Sequence, residues 1–134
     1  MFAILRSYNN RRIESLMHNL ESIEAIDAVV VVINVDKDNN QSSDDPFDTV
    51  GFLDSIQATT TLNIKCVSLS DSEYGWSKAL NAGIAMVPVE EEFVAMISSE
   101  VEITNDEFEQ LLHAAARPDS SCGYALYDGR DEEP

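Results

Sequence analysis

Basic side chains are scarce in this chain, and several of them cluster where predicted strands run into helices. The chain has 25 acidic and 8 basic residues and a net charge of -17. The basic residues near predicted strand ends are Arg6, Arg11, Arg12, Lys37 and Lys78. Each one alone is more simply a solvated loop residue. Together, in so acidic a chain, they favour a site for an anion such as a phosphate.

Polar and aromatic side chains occur in the same predicted loops. Tyr8 follows the first strand, where its ring could stack on a planar base or instead cover the end of the sheet. Asn34 and Asp36 close the second strand and could accept hydrogen bonds from a base, although ordinary turn chemistry also accounts for them. These side chains add base recognition to the predicted anion site.

The stretch YGWSKALNAGI combines small, basic and amide residues at the start of a predicted helix. Gly75 allows a tight turn, and Gly83 allows the helix to approach a sheet closely. Lys78 and Asn81 could contact a ligand. Small residues at such positions are as often there for packing alone, so this stretch is a weak indicator by itself.

Elements that would hold these residues follow from the hydrophobic pattern. The run FAILRSY predicts a strand, and Asn9 or Asn10 is a suitable cap for the helix after it. An apolar stripe with helical spacing runs along that helix: Ile13, Leu16, Met17, Leu20 and Ile23. The run AIDAVVVVIN lacks polar alternation, which is typical of a strand buried on both faces of a parallel sheet.

Further strands and helices alternate along the rest of the chain. Asp45 is expected to cap a helix that starts at Pro46 and turns Phe47, Val50, Leu53 and Ile56 inward. LNIKCVSLS and EEFVAMISS predict strands on either side of the helix WSKALNAGIAMV, whose Ala79, Leu80, Gly83 and Ile84 could lie close to the sheet. Thr104 and Glu107 form a capping box for another helix, and CGYALYD predicts a last strand.

Alternating strands and helices predict an α/β fold with a mainly parallel sheet flanked by helices. We expect a single α/β domain over residues 1–128 and an acidic tail over residues 129–134. Ligands of such folds bind beyond the carboxyl ends of the strands. The predicted loops with cations and polar residues therefore all belong to the binding edge.

Taken in order, these motifs resemble family 2 nucleotide-sugar glycosyltransferases of the GT-A fold. Ser7-Tyr8-Asn9 is similar to the Thr/Ser-Tyr-Asn motif that ends the first strand of that family, and VVVVINVDKD is similar to its base-binding second strand. The third-loop motif is matched at five positions, although Glu73 replaces its leading Asn. The matched residues are Gly75, Ala79, Asn81, Gly83 and Ile84.

The resemblance implies a Rossmann-like nucleotide-binding half that binds a nucleotide diphosphate sugar. It assigns Tyr8, Asn34 and Asp36 to the base, Lys78 and Asn81 to the diphosphate or ribose, and Ser7, Asn9 and Gly75 to the same site. Its metal motif, Asp-x-Asp, reads Ser98-Ser99-Glu100 here. Glu100 is therefore the expected ligand of a divalent Mn or Mg ion, or else a solvated acid at the end of a strand.

Two functions remain open on the sequence. The chain could transfer the sugar to an acceptor hydroxyl, as the resemblance implies. It could instead be a non-catalytic α/β nucleotide-binding or protein-interaction module, which the altered metal motif favours. The acid that would deprotonate the acceptor ordinarily follows the matched segment in that family, and we expect none here.

Composition limits the compartment and the partners. No apolar run reaches the roughly 20 residues of a membrane helix, and no signal peptide is recognisable, so we expect a cytoplasmic protein without membrane insertion. The net charge of -17 disfavours nucleic acid as a partner. Cys66 and Cys122 are expected to be buried free thiols. An exposed sheet edge would permit a homo-oligomer.

Overall fold

The computed structural model of the chain describes residues 1–9, 11–35, 47–98 and 101–118. The described strands are β1 (Phe2–Ser7), β2 (Ala28–Asn34), β3 (Asn63–Leu69) and β4 (Val94–Ile97). The described helices are α1 (Arg12–Glu21), α2 (Thr49–Ile56), α3 (Trp76–Ile84) and α4 (Asn105–Ala115), and a short 3-10 helix spans Asp71–Glu73. The chain divides into two compact units, Met1–Glu102 and Ile103–Pro134.

The four described strands form one sheet in the order β3-β2-β1-β4, and every neighbouring pair is parallel. This confirms the predicted α/β class and the mainly parallel sheet. The predicted last strand, residues 122–128, and the predicted acidic tail lie outside the described residues. The chain moves from β1 outward to β3 and then returns past β1 to β4. Right-handed crossovers therefore place α1 and α2 on one face and α3 on the other.

Burial in the sheet is greatest at β2, where all residues from Ala28 to Asn34 are buried, as the uninterrupted apolar run predicts. On the α3 face, Ile4 and Val32 pack with Ala79 in one core cluster. A Cβ atom at Gly83 would lie 2.7 Å from Ile4 Cγ2 and 3.2 Å from Val32 Cγ2. Glycine therefore allows α3 to approach the sheet, as the sequence predicts.

Helix starts are partly different from those predicted. The N-cap position of α1 is Arg11, so a cap at Asn9 is wrong, whereas Asn10 lies outside the described residues and its predicted cap stays a prediction. Asn9 Oδ1 instead accepts a hydrogen bond from the Thr49 backbone N–H at 3.4 Å. The cap of α2 is Asp48, which accepts from Gly51 N–H at 3.1 Å. Asp48 has the extended backbone that an N-cap needs, so the predicted cap at Asp45 is also wrong.

The capping box of α4 is confirmed. Thr104 Oγ1 accepts from Glu107 N–H at 3.1 Å, and Glu107 Oε1 accepts from Thr104 N–H at 2.9 Å. Unlike the start of α1, this motif depends only on residues three positions apart and is therefore readable from the sequence.

Three side chains predicted to be inside are outside. Cys66 is free but exposed, because it lies on β3, none of whose residues is buried and which is an edge strand among those described. Val50 and Ile84 are 38% and 47% exposed. Their helices are short and bury few residues, namely Thr49 and Leu53 of α2 and Ala79 and Gly83 of α3. None of the helices in the described ranges is both long and apolar enough to cross a membrane.

Candidate functional site

A cleft of about 490 Å³ opens at the carboxyl ends of β1 and β4. These strands are neighbours in the sheet. The crossover from β1 to β2 runs over one face and the crossover from β3 to β4 over the other, which makes this the topological switch point of the sheet. Open α/β sheets bind ligands at this position. The polar and aromatic residues that line the cleft are Arg6, Ser7, Tyr8, Arg12, Tyr74, Trp76 and Ser98.

Charge is the most unusual property of the cleft. Two arginines line it, Arg6 from β1 and Arg12 from the first turn of α1, and no acidic side chain is among its described lining residues. The whole chain has 25 acidic residues against 8 basic ones. A locally cationic cleft in a protein of this composition attracts an anion that the rest of the surface repels.

Arg6 is held by aromatic rings rather than by a carboxylate. Its guanidinium carbon lies 4.7 Å from the ring centroid of Tyr74 and 4.7 Å from that of Trp76. Its Nη2 donates to the Tyr74 carbonyl oxygen at 3.4 Å, a long hydrogen bond. Its Nε is buried and has no hydrogen-bond partner among the described residues. Cation–π contacts of this kind favour a fixed guanidinium position.

Tyr74 forms the inner wall of the cleft. It is 5% exposed, and its hydroxyl donates to the Ser7 carbonyl oxygen at 2.9 Å. Its ring centroid lies 5.3 Å from that of Tyr8. Burial raises the pKa of Tyr74 to about 12, although the Arg6 charge opposes this shift. Tyr74 is therefore neutral at physiological pH, and it ties the end of β1 to the turn before α3.

Polar groups at the ends of β2 and β3 bond to one another. Asn34 Nδ2 donates to Asp71 Oδ1 at 3.1 Å. Ser70 and Glu73 form a capping box, in which the Ser70 hydroxyl donates to Glu73 Oε1 at 2.8 Å. These hydrogen bonds from Ser70 lower the pKa of Glu73, with a smaller contribution from Lys78.

Seven of the nine residues predicted for the site are described, and two of these line the cleft, Ser7 and Tyr8. Asn9 and Asn34 lie at the same edge of the sheet, but their side chains bond to Thr49 and Asp71 respectively.

The α3 candidates lie beside the cleft rather than in its lining. Gly75 is the N-cap of α3, and a Cβ atom there would meet nothing within 4 Å, so the turn does not require glycine for space. Lys78 and Asn81 are exposed on α3 and are not among the lining residues. Asp36 and Glu100 lie outside the described residues. The binding roles of all these residues stay predictions.

A divalent metal does not fit the part of the cleft that is described. Its charged lining residues are arginines, which repel a cation. Within residues 1–9, 11–35, 47–98 and 101–118, no three His, Cys, Asp or Glu side chains are grouped as a metal site requires. The expected metal ligand, Glu100, lies outside those ranges, so a metal role for it stays a prediction.

The contact of Arg6 with Tyr74 and Trp76 is the feature that sequence reasoning missed. Arg6 belonged to the predicted cation cluster, whereas Trp76 was not among the predicted site residues. The two aromatic residues are 68 and 70 positions further along the chain. The available signal was that Tyr74 and Trp76 flank Gly75 directly before a predicted helix. No local sequence pattern connects these two residues to Arg6 on β1.

No protein-family model matches this chain, and no curated protein matches it significantly. The resemblance to nucleotide-sugar glycosyltransferases therefore rests on the motifs quoted above and stays a prediction.

Proposed function

We propose that this chain binds a nucleotide diphosphate sugar in the cleft between β1 and β4. The observation that carries the proposal is the pair of arginines, Arg6 and Arg12, at the switch point of a parallel sheet, with no acid among the described lining residues. A diphosphate needs concentrated positive charge, and in this chain the rest of the surface offers mostly negative charge.

Aromatic side chains in the same cleft support a planar group in the ligand. Trp76 is 61% exposed although it contacts Arg6, so much of its indole remains available for stacking. Tyr8 lines the cleft next to the end of β1. Stacking of a base on such rings contributes about 1–3 kcal/mol per base in proteins that bind single-stranded nucleic acids.

Helix capping agrees with an anionic ligand. α3 begins at Trp76, which lines the cleft, and this helix has no side-chain cap among the described residues. In contrast, α2 and α4 are capped by Asp48 and Thr104. Helix N-termini carry a partial positive charge that favours phosphate oxygens.

Binding without sugar transfer is the form of the function that the cleft favours. Transfer by direct displacement needs a base to take the proton of the acceptor hydroxyl. The described lining has no carboxylate or imidazole that could serve as this base. Transfer is a second candidate, supported by the five matched positions of the third-loop motif, and its base would come from outside the described lining.

Nucleotide binding can be tested directly, because Trp76 is the one tryptophan of the chain and lines the cleft. We expect UDP or GDP, and the corresponding UDP- or GDP-sugar, to change its fluorescence saturably and to raise Tm. A ligand at 100 times its Kd adds about 2.7 kcal/mol of stability. Uridine and guanosine are the controls without phosphate. If no nucleotide changes either signal, the proposed function is wrong.

Transfer is tested separately with a radiolabelled sugar donor and a mixture of hydroxyl acceptors. Release of labelled sugar to water or to an acceptor would establish an enzyme. Saturable binding with no release over hours would identify a binding module.

A further inference from the structure

Resting on the proposed function, we propose that Arg6 is the residue that binds the ligand phosphates, and that it does so without a divalent cation. Tyr74 and Trp76 position its guanidinium for this task. The group that the protein recognises is then the phosphate oxyanion of the ligand, and the protein chain itself supplies the positive charge that balances it.

Arg6 has unused hydrogen-bonding capacity. A guanidinium carries five N–H donors. The one hydrogen bond found for Arg6 among the described residues is the long contact from Nη2 to the Tyr74 carbonyl oxygen, at 3.4 Å. Contacts with ring faces leave the N–H groups in the guanidinium plane for another partner. Phosphate oxygens match that planar arrangement of donors.

Arg6 is also not neutralised by any acidic side chain in the part of the chain that the structure describes. No described acidic side chain forms an ion pair with it, although acidic residues outnumber basic ones threefold in the chain. Arg11, by comparison, has Glu14 Oε1 at 3.9 Å. A partly buried arginine whose Nε lacks a partner is unfavourable unless another group supplies the hydrogen bond. A bound oxyanion would supply it after a small rotation of the side chain.

Metal independence follows from the other groups in the cleft. Arg12 adds a second positive charge. At the end of β4 the lining residue is Ser98, which presents a hydroxyl and not a carboxylate. Arginines next to a diphosphate neutralise it without a bridging ion, and they would repel such an ion.

The experiment measures binding of inorganic pyrophosphate and of UDP by calorimetry in buffer with EDTA. We expect both to bind, and Arg6→Gln to weaken both by about tenfold or more, because a charge-assisted, bidentate contact is lost. Arg6→Lys keeps the charge but not the planar donors, and we expect an intermediate loss. The matched control is Arg11→Gln, which removes the same charge outside the lining and should change Kd by less than about threefold.

A second variant covers the case in which Arg6→Gln does not fold. Trp76 is 61% exposed, so Trp76→Leu should fold with an unchanged Tm. Losing one of the two rings that hold Arg6 should weaken pyrophosphate about threefold or more. An unchanged pyrophosphate Kd in Trp76→Leu would overturn the positioning role.

The remaining outcomes distinguish failure of the proposed role of Arg6 from failure of the proposed nucleotide binding. Binding of UDP that requires manganese, or equal losses in Arg6→Gln and Arg11→Gln, overturns the role of Arg6 and leaves nucleotide binding intact. If pyrophosphate binding depends on Arg6 but UDP binds no more tightly than pyrophosphate, the oxyanion site is supported and the nucleotide proposal is overturned. Failure of both ligands to bind the parent protein overturns both.

Discussion

At the carboxyl ends of β2 and β3, polar side chains bond to each other, whereas at the ends of β1 and β4 two arginines face an open cleft. Asn34 bonds to Asp71 and Ser70 to Glu73 in the first region. In the second, Arg6 contacts aromatic rings and has a buried Nε without a described partner. Position at the binding edge of a sheet therefore does not by itself make a residue a ligand-binding residue. Donors and acceptors that already satisfy each other stabilise the fold instead.

The largest expected effect comes from Tyr74, which borders both regions. Tyr74→Ala removes a buried ring and its hydrogen bond to the Ser7 carbonyl, so we expect a loss of about 3–5 kcal/mol in the free energy of unfolding. Tyr74→Phe keeps the ring and should cost about 1 kcal/mol. Urea denaturation measures both. A loss below about 1 kcal/mol for Tyr74→Ala would show that Tyr74 does not hold the two regions together.

Gly83→Ala tests the packing of α3 below the cleft. The new Cβ would overlap Ile4 Cγ2 at 2.7 Å, so we expect a loss of about 1–3 kcal/mol in the free energy of unfolding. The control is Gly75→Ala, where the Cβ has open space and the change should stay within about 0.5 kcal/mol. Equal stability of the two variants in thermal denaturation would contradict the close approach of α3.

Asn34→Ala tests whether the bonded region is purely structural. Asn34 is 1% exposed, and its loss leaves Asp71 without this hydrogen bond, so we expect a destabilisation of about 1–2 kcal/mol. The nucleotide Kd should change less than twofold in calorimetry at a temperature where the variant is folded. A tenfold weaker Kd with unchanged stability would instead support the base-binding role that the sequence predicts.

Lys78→Gln and Asn81→Ala should have small effects. Both side chains are exposed and outside the cleft lining, so we expect stability within about 0.5 kcal/mol of the parent protein and less than a twofold change in Kd. The measurements are thermal denaturation and nucleotide titration. If either variant loses most of the affinity, the site extends onto α3, as the motif resemblance implies.

The smallest effect is a pH dependence in the bonded region. Ser70 lowers the pKa of Glu73 below its ordinary value of 4.5. A lowered pKa in the folded state means that the contribution of Glu73 to stability is present above the unfolded-state pKa and is lost as pH falls through the folded-state pKa. Carboxyl NMR should show Glu73 titrating at lower pH than it does in the variant Ser70→Ala. Equal midpoints would show that the capping box does not form in solution.

Much of the fold could be predicted from the sequence, because it depends on local patterns. The apolar run of β2 predicts a strand buried on both faces, and the spacing of Thr104 and Glu107 predicts the capping box of α4; the structure contains both. The role of Asn9 could not be predicted in the same way. Asn9 is a good cap by residue type, but its side chain bonds to Thr49, which is 40 residues away, and this contact depends on the tertiary structure.

The candidate site was predicted less completely than the fold. Ser7 ends β1 and Tyr8 follows it, and both line the cleft, while their role in binding stays a prediction. Asn34, Lys78 and Asn81 share that edge, but the sequence does not show that one is bonded to Asp71 and that the others point outside the lining. Which side chain faces a cleft depends on the directions of several elements at once.

The order and type of the elements, the parallel sheet and the concentration of cations near strand ends can all be predicted from the sequence. Only the tertiary structure decided that β4 lies beside β1, which creates the cleft, and that Tyr74 and Trp76 contact Arg6. The two groups of features differ in the sequence separation over which the responsible interactions act. Hydrophobic periodicity and capping act over a few residues, whereas strand order and ring contacts depend on how distant segments pack together.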